Sequence, residues 1–121
     1  MLPSTNIQRR QHGTIEIVSL RGQFIGGKET DELRTVLSEA AQTNATAIVV
    51  DMAEVTYLNS TALGVLIAAH SSIAKRGGRI VLCGLSKSLE NIFVITKLSM
   101  VFEIYRDLQT ALDSLSSSTT I

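Results

Sequence analysis

A β-branched run, residues 46–51, and a second largely apolar run, residues 79–83, bracket a long helical apolar stretch over residues 60–76. Short runs that are apolar on both sides suit strands covered on both faces. Strand–helix–strand order places such strands in one sheet with the helix packed against it. The same alternation extends in both directions. Residues 29–42 set Leu33, Val36, Leu37, Ala40 and Ala41 on one helical face, with Glu29, Asp31 and Glu32 near its first turn, where the helix dipole favours them. Residues 88–98 place Leu89, Ile92, Phe93 and Thr96 inward, with Ser86 or Ser88 as cap. Asp107 caps a last helix ending near Leu115. Residues 7–11 and 14–20 read as strands around a turn at Gly13, and residues 101–104 as a final short strand. The expected class is α/β: a mixed sheet of four to five strands with about four helices. Residues 7–115 form one domain, and residues 1–6 and 116–121 are expected to be loosely held.

The rest of the composition removes function classes. Lys and Arg total 11, as do Asp and Glu, so the net charge is zero. Direct nucleic-acid binding and adhesion to an anionic membrane lose their electrostatic basis. Aromatic residues are 4% with no Trp, too few for base-stacking platforms. The single Cys83 excludes an internal disulfide and any multi-cysteine metal site, and in its apolar strand it reads as inert core. The first 13 residues have no apolar segment of a secretory signal, and no run approaches the ~20 apolar residues that cross a bilayer. A soluble cytoplasmic protein, monomer or weak dimer, with no metal or cofactor, is expected.

The chemistry concentrates between Asp51 and His70. A strand ends at Asp51, a short loop carries Leu58-Asn59-Ser60-Thr61, and a helix starts at once. Ser60 and Thr61 therefore stand on the first turn, where unsatisfied N–H groups and the dipole favour an anion. A hydroxyl here caps the helix, serves as a modification site, or does both. The second helix sets Leu63, Leu66, Ile67, Ile73 and Ala74 at helical spacing and stops at Gly77-Gly78. Gly64 inside it costs about 1 kcal/mol against alanine and serves close approach either of a partner or of the sheet.

Two other classes fit worse. Gly22-Gln23-Phe24-Ile25-Gly26-Gly27-Lys28 has the spacing of a phosphate-binding loop, with Asp51 as a magnesium-side carboxylate. The next residue is Glu29 where such a loop needs Ser or Thr, and a carboxylate there repels phosphate. A hydrolase built on Ser60 lacks G-x-S-x-G and has only His12 and His70 as candidate bases. His70 reads as an ordinary histidine at the core edge. No residue is assigned a catalytic role.

Three segments resemble one family. Asp51-Met52-Ala53-Glu54-Val55-Thr56-Tyr57-Leu58-Asn59-Ser60-Thr61-Ala62-Leu63-Gly64 is similar to the pattern D-L-x-x-V-x-F-[ML]-D-S-S-G-L-G of STAS domains, in particular bacterial anti-sigma factor antagonists. Gly77 to Ser86 resembles the family's glycine turn and following strand, and Leu98 to Tyr105 its L-x-x-[VL]-F-x-[IV]-[YF] ending. Asn59, Thr61 and Ala62 replace Asp, Ser and Gly, and Gly22-Gln23-Phe24-Ile25 stands where G-E-L-D is frequent.

The resemblance implies a STAS-like fold and a non-enzymatic regulator. Its partner would be an anti-sigma factor that is also a serine kinase, and a serine phosphatase would reset it. The implied acceptor is Ser60, with Thr61 a weaker candidate. The implied contact surface is Leu58, Asn59, Ser60, Thr61, Ala62, Leu63 and Gly64, with Phe24, Ile25 and Gly26 beside it. A STAS scaffold or transport accessory without a switch is the alternative.

Overall fold

A computed structural model describes residues 6–117. Its elements are β1 (Ile7–His12), β2 (Ile15–Phe24), α1 (Lys28–Ala41), β3 (Ala47–Leu58), α2 (Ser60–Lys75), β4 (Arg79–Cys83), α3 (Lys87–Ile95), a 3-10 turn (Leu98–Met100), β5 (Glu103–Tyr105) and α4 (Leu108–Ser117). The strands form one sheet in the order β1-β2-β3-β4-β5. β1 and β2 are an antiparallel hairpin closed by Gly13 at φ 64°, and the other pairs are parallel. The expected mixed five-strand sheet with four α-helices is present.

Strand alternation divides the core in two. Val18, Leu20, Val50, Met52 and Leu82 face α1, α2 and α3, meeting Leu33, Leu37, Leu66, Leu89 and Phe93. Ile15, Ile17, Val49, Val81 and Cys83 face α4 through Ala111, Leu112 and Leu115. A single helix covers only part of that second face. Farther along it Gln8, Arg10, Ser19, Arg21, Asp51 and Glu54 line an open polar cleft of about 280 Å³. Burial pushes the Cys83 thiol up to about 12, so it is an unreactive core side chain.

Four expectations need correction. The loop expected from Asp51 is strand: β3 continues to Leu58, pairing Gly22 with Val55 and Phe24 with Leu58. Two register shifts against β2 insert extra residues, so the buried side chains Met52, Val55 and Leu58 fall three apart. That spacing hides the strand from a search for period two. β2 likewise runs past Gly22, whose φ of 88° accommodates the irregularity. Helix α2 is turned from its expected orientation: Ala62, Val65, Leu66 and Ile73 are buried, while Ile67 and Ala74 are exposed. A helix apolar nearly all round offers no sharp periodicity to fix its rotation. Helix α3 ends at Ile95, because Lys97 takes a left-handed φ of 65°; the Thr96 hydroxyl donates to the Ile92 carbonyl (2.7 Å) in this last turn.

The cap assignments at the other helix ends stand. Ser86 accepts from Leu89 N–H (3.2 Å) and Asp107 from Thr110 N–H (2.8 Å). Gly77, at φ 80°, and Gly78 return their N–H groups to Ala74 and Ile73 carbonyls in a Schellman closure. Of the expected loose ends, residues 1–5 and 118–121 lie outside the described residues. Asn6 is held, exchanging backbone and side-chain bonds with Arg21 at 2.8 Å each, and Ser116 belongs to α4.

Candidate functional site

The carboxyl ends of β2 and β3 lie side by side in the sheet, so the loops that follow them meet. Asn59 N–H donates to the Phe24 carbonyl at 3.0 Å, pinning one loop to the other strand. Asn59 is the N-cap of α2: its backbone is extended (φ −96°, ψ −178°) and its Oδ1 accepts from Ala62 N–H at 3.0 Å. The expectation that a hydroxyl caps this helix is therefore corrected. An extended conformation is required at the cap, and Asn59 adopts it; Ser60 is already helical. Ser60 and Thr61 are both exposed, and neither side chain has a hydrogen-bond partner among the described residues. Helix α2 has no acidic residue in its first turn, so its dipole is left uncompensated there.

The second loop, Ile25-Gly26-Gly27, lies against this turn. A Cβ on Gly26 would stand 3.5 Å from Asn59 Nδ2 and 3.7 Å from Thr61 Cβ, and Gly26 has φ 93°. The loop is shaped by Glu29. Its carboxylate accepts from Ile25 N–H (2.7 Å), Gly27 N–H (3.1 Å) and the Thr30 hydroxyl (2.9 Å). Chiefly the Ile25 bond, then the Thr30 bond, lowers the Glu29 carboxyl to about 2. The loop amides that would cradle a phosphate are thus already occupied by the protein's own anion. Asp51 pairs with Ser19 in mid-strand, seven residues before the end of β3 and so roughly 20 Å from the loop. Both observations remove the nucleotide-loop reading.

The hydrolase reading fails on distance. His70 is ten residues along α2 from Ser60, about 15 Å of helix rise. It is half-buried and packs edge-on against Phe102 at 5.1 Å, an ordinary core-edge role. His12 pairs with Ile15 at the opposite end of the sheet. No cluster of three or more metal-ligating side chains occurs among the described residues.

The expected site residues separate cleanly by burial. Phe24, Leu58 and Ala62 are core side chains and offer no contact surface, a correction to their assignment. Leu63 is partly buried and Asn59 is half-buried in its cap role. Ile25, Gly26, Ser60, Thr61 and Gly64 are exposed together. A Cβ on Gly64 would meet nothing within 4 Å, so packing on the sheet does not require this glycine. Tyr57, half-exposed beside the turn, was missed by sequence reasoning. Placing residues 51–59 in a loop hid the strand alternation that turns Tyr57 outward while Leu58 points in.

A five-strand sheet, three helices on one face and a bare helix start at the strand ends define an α/β domain with an exposed corner where the Ile25–Gly27 loop meets the first turn of α2. The chain belongs to the STAS domain family, which matches residues 6–111. Among its relatives is the "Anti-sigma-B factor antagonist" of Listeria monocytogenes, 46% identical over 55 residues. That match covers 46% of this chain and 48% of the relative, so it spans about half the length of each. Among solved structures, a putative anti-sigma factor antagonist from Thermotoga maritima superposes with a TM-score of 0.82 at 16% identity, covering 89% of this chain and 92% of that one. The Bacillus cell fate determinant SpoIIAA in its phosphorylated form gives 0.73 at 17% identity, covering 90% and 98%. At these identities the superpositions establish the shared fold. No helix among the described residues is long and apolar enough to cross a membrane.

Proposed function

We propose that this chain is an anti-sigma factor antagonist that acts in the cytoplasm and is switched at Ser60. Unmodified, it binds an anti-sigma factor through the surface around Ser60. That partner, a serine kinase, transfers the terminal phosphoryl group of ATP to the Ser60 oxygen, leaving ADP and a proton, and is released; a serine phosphatase then hydrolyses the phosphoserine with water, restoring the hydroxyl and freeing inorganic phosphate. The chain itself supplies no catalysis and needs no cofactor. The observation that carries this reading is the uncommitted Ser60 hydroxyl: it is exposed, it sits on the first helical residue, and the cap is made by its neighbour. The Listeria relative's name and the solved phosphorylated form of SpoIIAA support it.

The energetics favour a switch that spares the fold. A phosphoserine adds about −1.5 to −2 charges. At a helix N-terminus an exposed anion is stabilised by about 0.3–1 kcal/mol. The same charge buried unpaired in a contact costs several kcal/mol. Each ~1.4 kcal/mol is a factor of ten in affinity, so a loss of about a hundredfold or more is expected from one group. The test is a pull-down from the native host with wild type, Ser60→Ala and Ser60→Asp, read by mass spectrometry for partner and phosphate. An anti-sigma factor retained by Ser60→Ala and lost by Ser60→Asp, with phosphate on Ser60, is expected. Equal retention by both variants would instead favour the STAS scaffold without a switch.

A further inference from the structure

The largest apolar exposure on the described chain lies away from Ser60, in the last two residues of α3 and the connection from there to β5. Val94 is 63% exposed, Ile95 78%, Met100 83% and Val101 46%. The segment is an ordered knob: Lys97 N–H bonds the Val94 carbonyl at 3.0 Å, Met100 N–H the Lys97 carbonyl at 3.1 Å, and Phe102 N–H the Leu98 carbonyl at 3.0 Å. Lys97 holds φ 65°, a left-handed conformation that a side chain bears at a cost. Four large apolar side chains held out by a closed turn are not the scattered surface apolars of a monomer.

The knob joins the Ser60 corner along one flank of α2. Val101 and His70 line the same shallow cleft, and the His70 ring packs on Phe102, next in sequence to Val101. Ile67, 41% exposed, lies three residues before His70, and Leu63 four before Ile67. These spacings put them on one helical stripe. Leu63 in turn is one turn from Ser60. Leu63, Ile67 and His70 therefore form a line of side chains along α2 that leads from the modification corner to Val101, at a cleft also lined by the Arg79–Glu103 ion pair.

Charge selects among occupants. Lys97 is exposed at the centre of the knob and has no ion pair among the described residues. Helix α2 carries no acidic side chain from Ser60 to Lys75. A two-fold contact between copies through the knob would set Lys97 against Lys97. An anionic membrane would gain only about 1 kcal/mol from this one cation, on a chain with no net charge. A partner protein with an apolar ridge and a carboxylate facing Lys97 satisfies both features.

We infer that the α2 flank and the Val94–Val101 knob are the second half of the docking surface, occupied by the same protein that engages Ser60, through an apolar ridge bearing an acidic side chain opposite Lys97. The inference rests on the Ser60 reading for the partner's identity, and on the knob for its footprint. Ser60 then acts as a gate at one end of a contact whose adhesion comes largely from the other.

Photo-crosslinking with full-length chain in its native host tests it. The photoreactive residue p-benzoylphenylalanine is placed at position 61, at position 100, or at position 10 as a control on the far edge of the sheet. The expected result is one product of the same mass from positions 61 and 100, absent from position 10, and reduced about tenfold or more by Ser60→Asp. Lys97→Glu is expected to reduce the position-61 product about fivefold or more, with urea denaturation checking that the fold is intact. A position-61 product that responds to Ser60→Asp while position 100 stays silent overturns the inference and leaves the Ser60 switch standing. One shared product indifferent to Ser60→Asp keeps the footprint and overturns the switch. A product of twice the chain's mass from position 100 overturns the inference in favour of self-association. Flotation of the chain with vesicles of phosphatidylcholine and phosphatidylserine, lost in Met100→Ser, overturns it in favour of a membrane. No product from either position overturns both readings.

Discussion

Replacing Asn59 by alanine separates the capping residue from the residue proposed for modification. The Asn59 side chain makes one capping bond, 3.0 Å from Oδ1 to Ala62 N–H, and that N–H belongs to a buried residue. The backbone of Asn59 remains anchored to Phe24 in the variant, so the turn survives and the loss is confined to the cap. Loss of an N-cap costs about 0.5–2 kcal/mol, and a partly buried donor places the expectation near 1–1.5 kcal/mol. For a domain of this size that lowers Tm by about 3–6 °C. Urea unfolding followed by far-UV circular dichroism should show a lower midpoint with an unchanged m value. Ser60→Ala should fall within about 0.5 kcal/mol of wild type, because its hydroxyl bonds nothing among the described residues. Asn59→Asp keeps the acceptor, adds a charge the dipole favours, and should equal or exceed wild type by up to about 1 kcal/mol. If Ser60→Ala costs as much as Asn59→Ala, the hydroxyl is the cap. It would then not be free for a kinase, and the reasoning about the switch fails with it.

Two glycines of the site should respond oppositely to alanine. Gly64→Ala should stabilise the isolated domain by about 0.5–1 kcal/mol, since the added carbon meets nothing and α2 gains propensity. Gly26→Ala should destabilise it by about 1–2 kcal/mol, since φ 93° is strained for alanine; equal midpoints in urea would contradict both. Glu29 binds its proton more weakly folded than unfolded, with a folded value near 2 against the usual 4.5. The stability advantage of wild type over Glu29→Gln should therefore be complete above pH 4.5 and shrink as pH falls towards 2, measured as the gap between their Tm values. Arg9→Ala should destabilise by about 1–3 kcal/mol in urea. It removes the 3.1 Å partner of Glu16, a buried carboxylate whose other oxygen has no hydrogen bond, and discounting for the partial exposure of Arg9 keeps the figure below that of a fully buried pair. Arg9→Lys should recover part of the loss.

The order of elements was legible because it rests on local patterns. Leu33, Leu37 and Ala40 share a helical face whatever the helix packs against, and residues 80–83 are apolar on both sides because both faces are covered. Ser86 and Asp107 act as caps through bonds to amides three residues on, within reach of sequence spacing. Glu29 is unfit beside a phosphate loop on residue type alone, and the bonds it accepts from the Ile25 and Gly27 amides of that loop give the physical reason. The exposed position of Ser60 at a helix start was also readable, since the strand, the short polar join and the apolar helix follow one another directly.

Sequence alone thus determined the fold class, the strand–helix order and the place where a hydroxyl meets a helix dipole, because each depends on neighbours within a turn or a strand. Tertiary structure decided the rest. The extra residues in β3 are visible only against β2, where pairing carries the strand on to Leu58. The rotation of α2 was set by the sheet beneath it, which took Ala62 and Val65 inward and left Ile67 out. Whether Asn59 or Ser60 capped that helix turned on the extended backbone that the Phe24 carbonyl holds in place. Periodicity identifies a helix's apolar residues, but when nearly all are apolar only the packed neighbour chooses which side is buried.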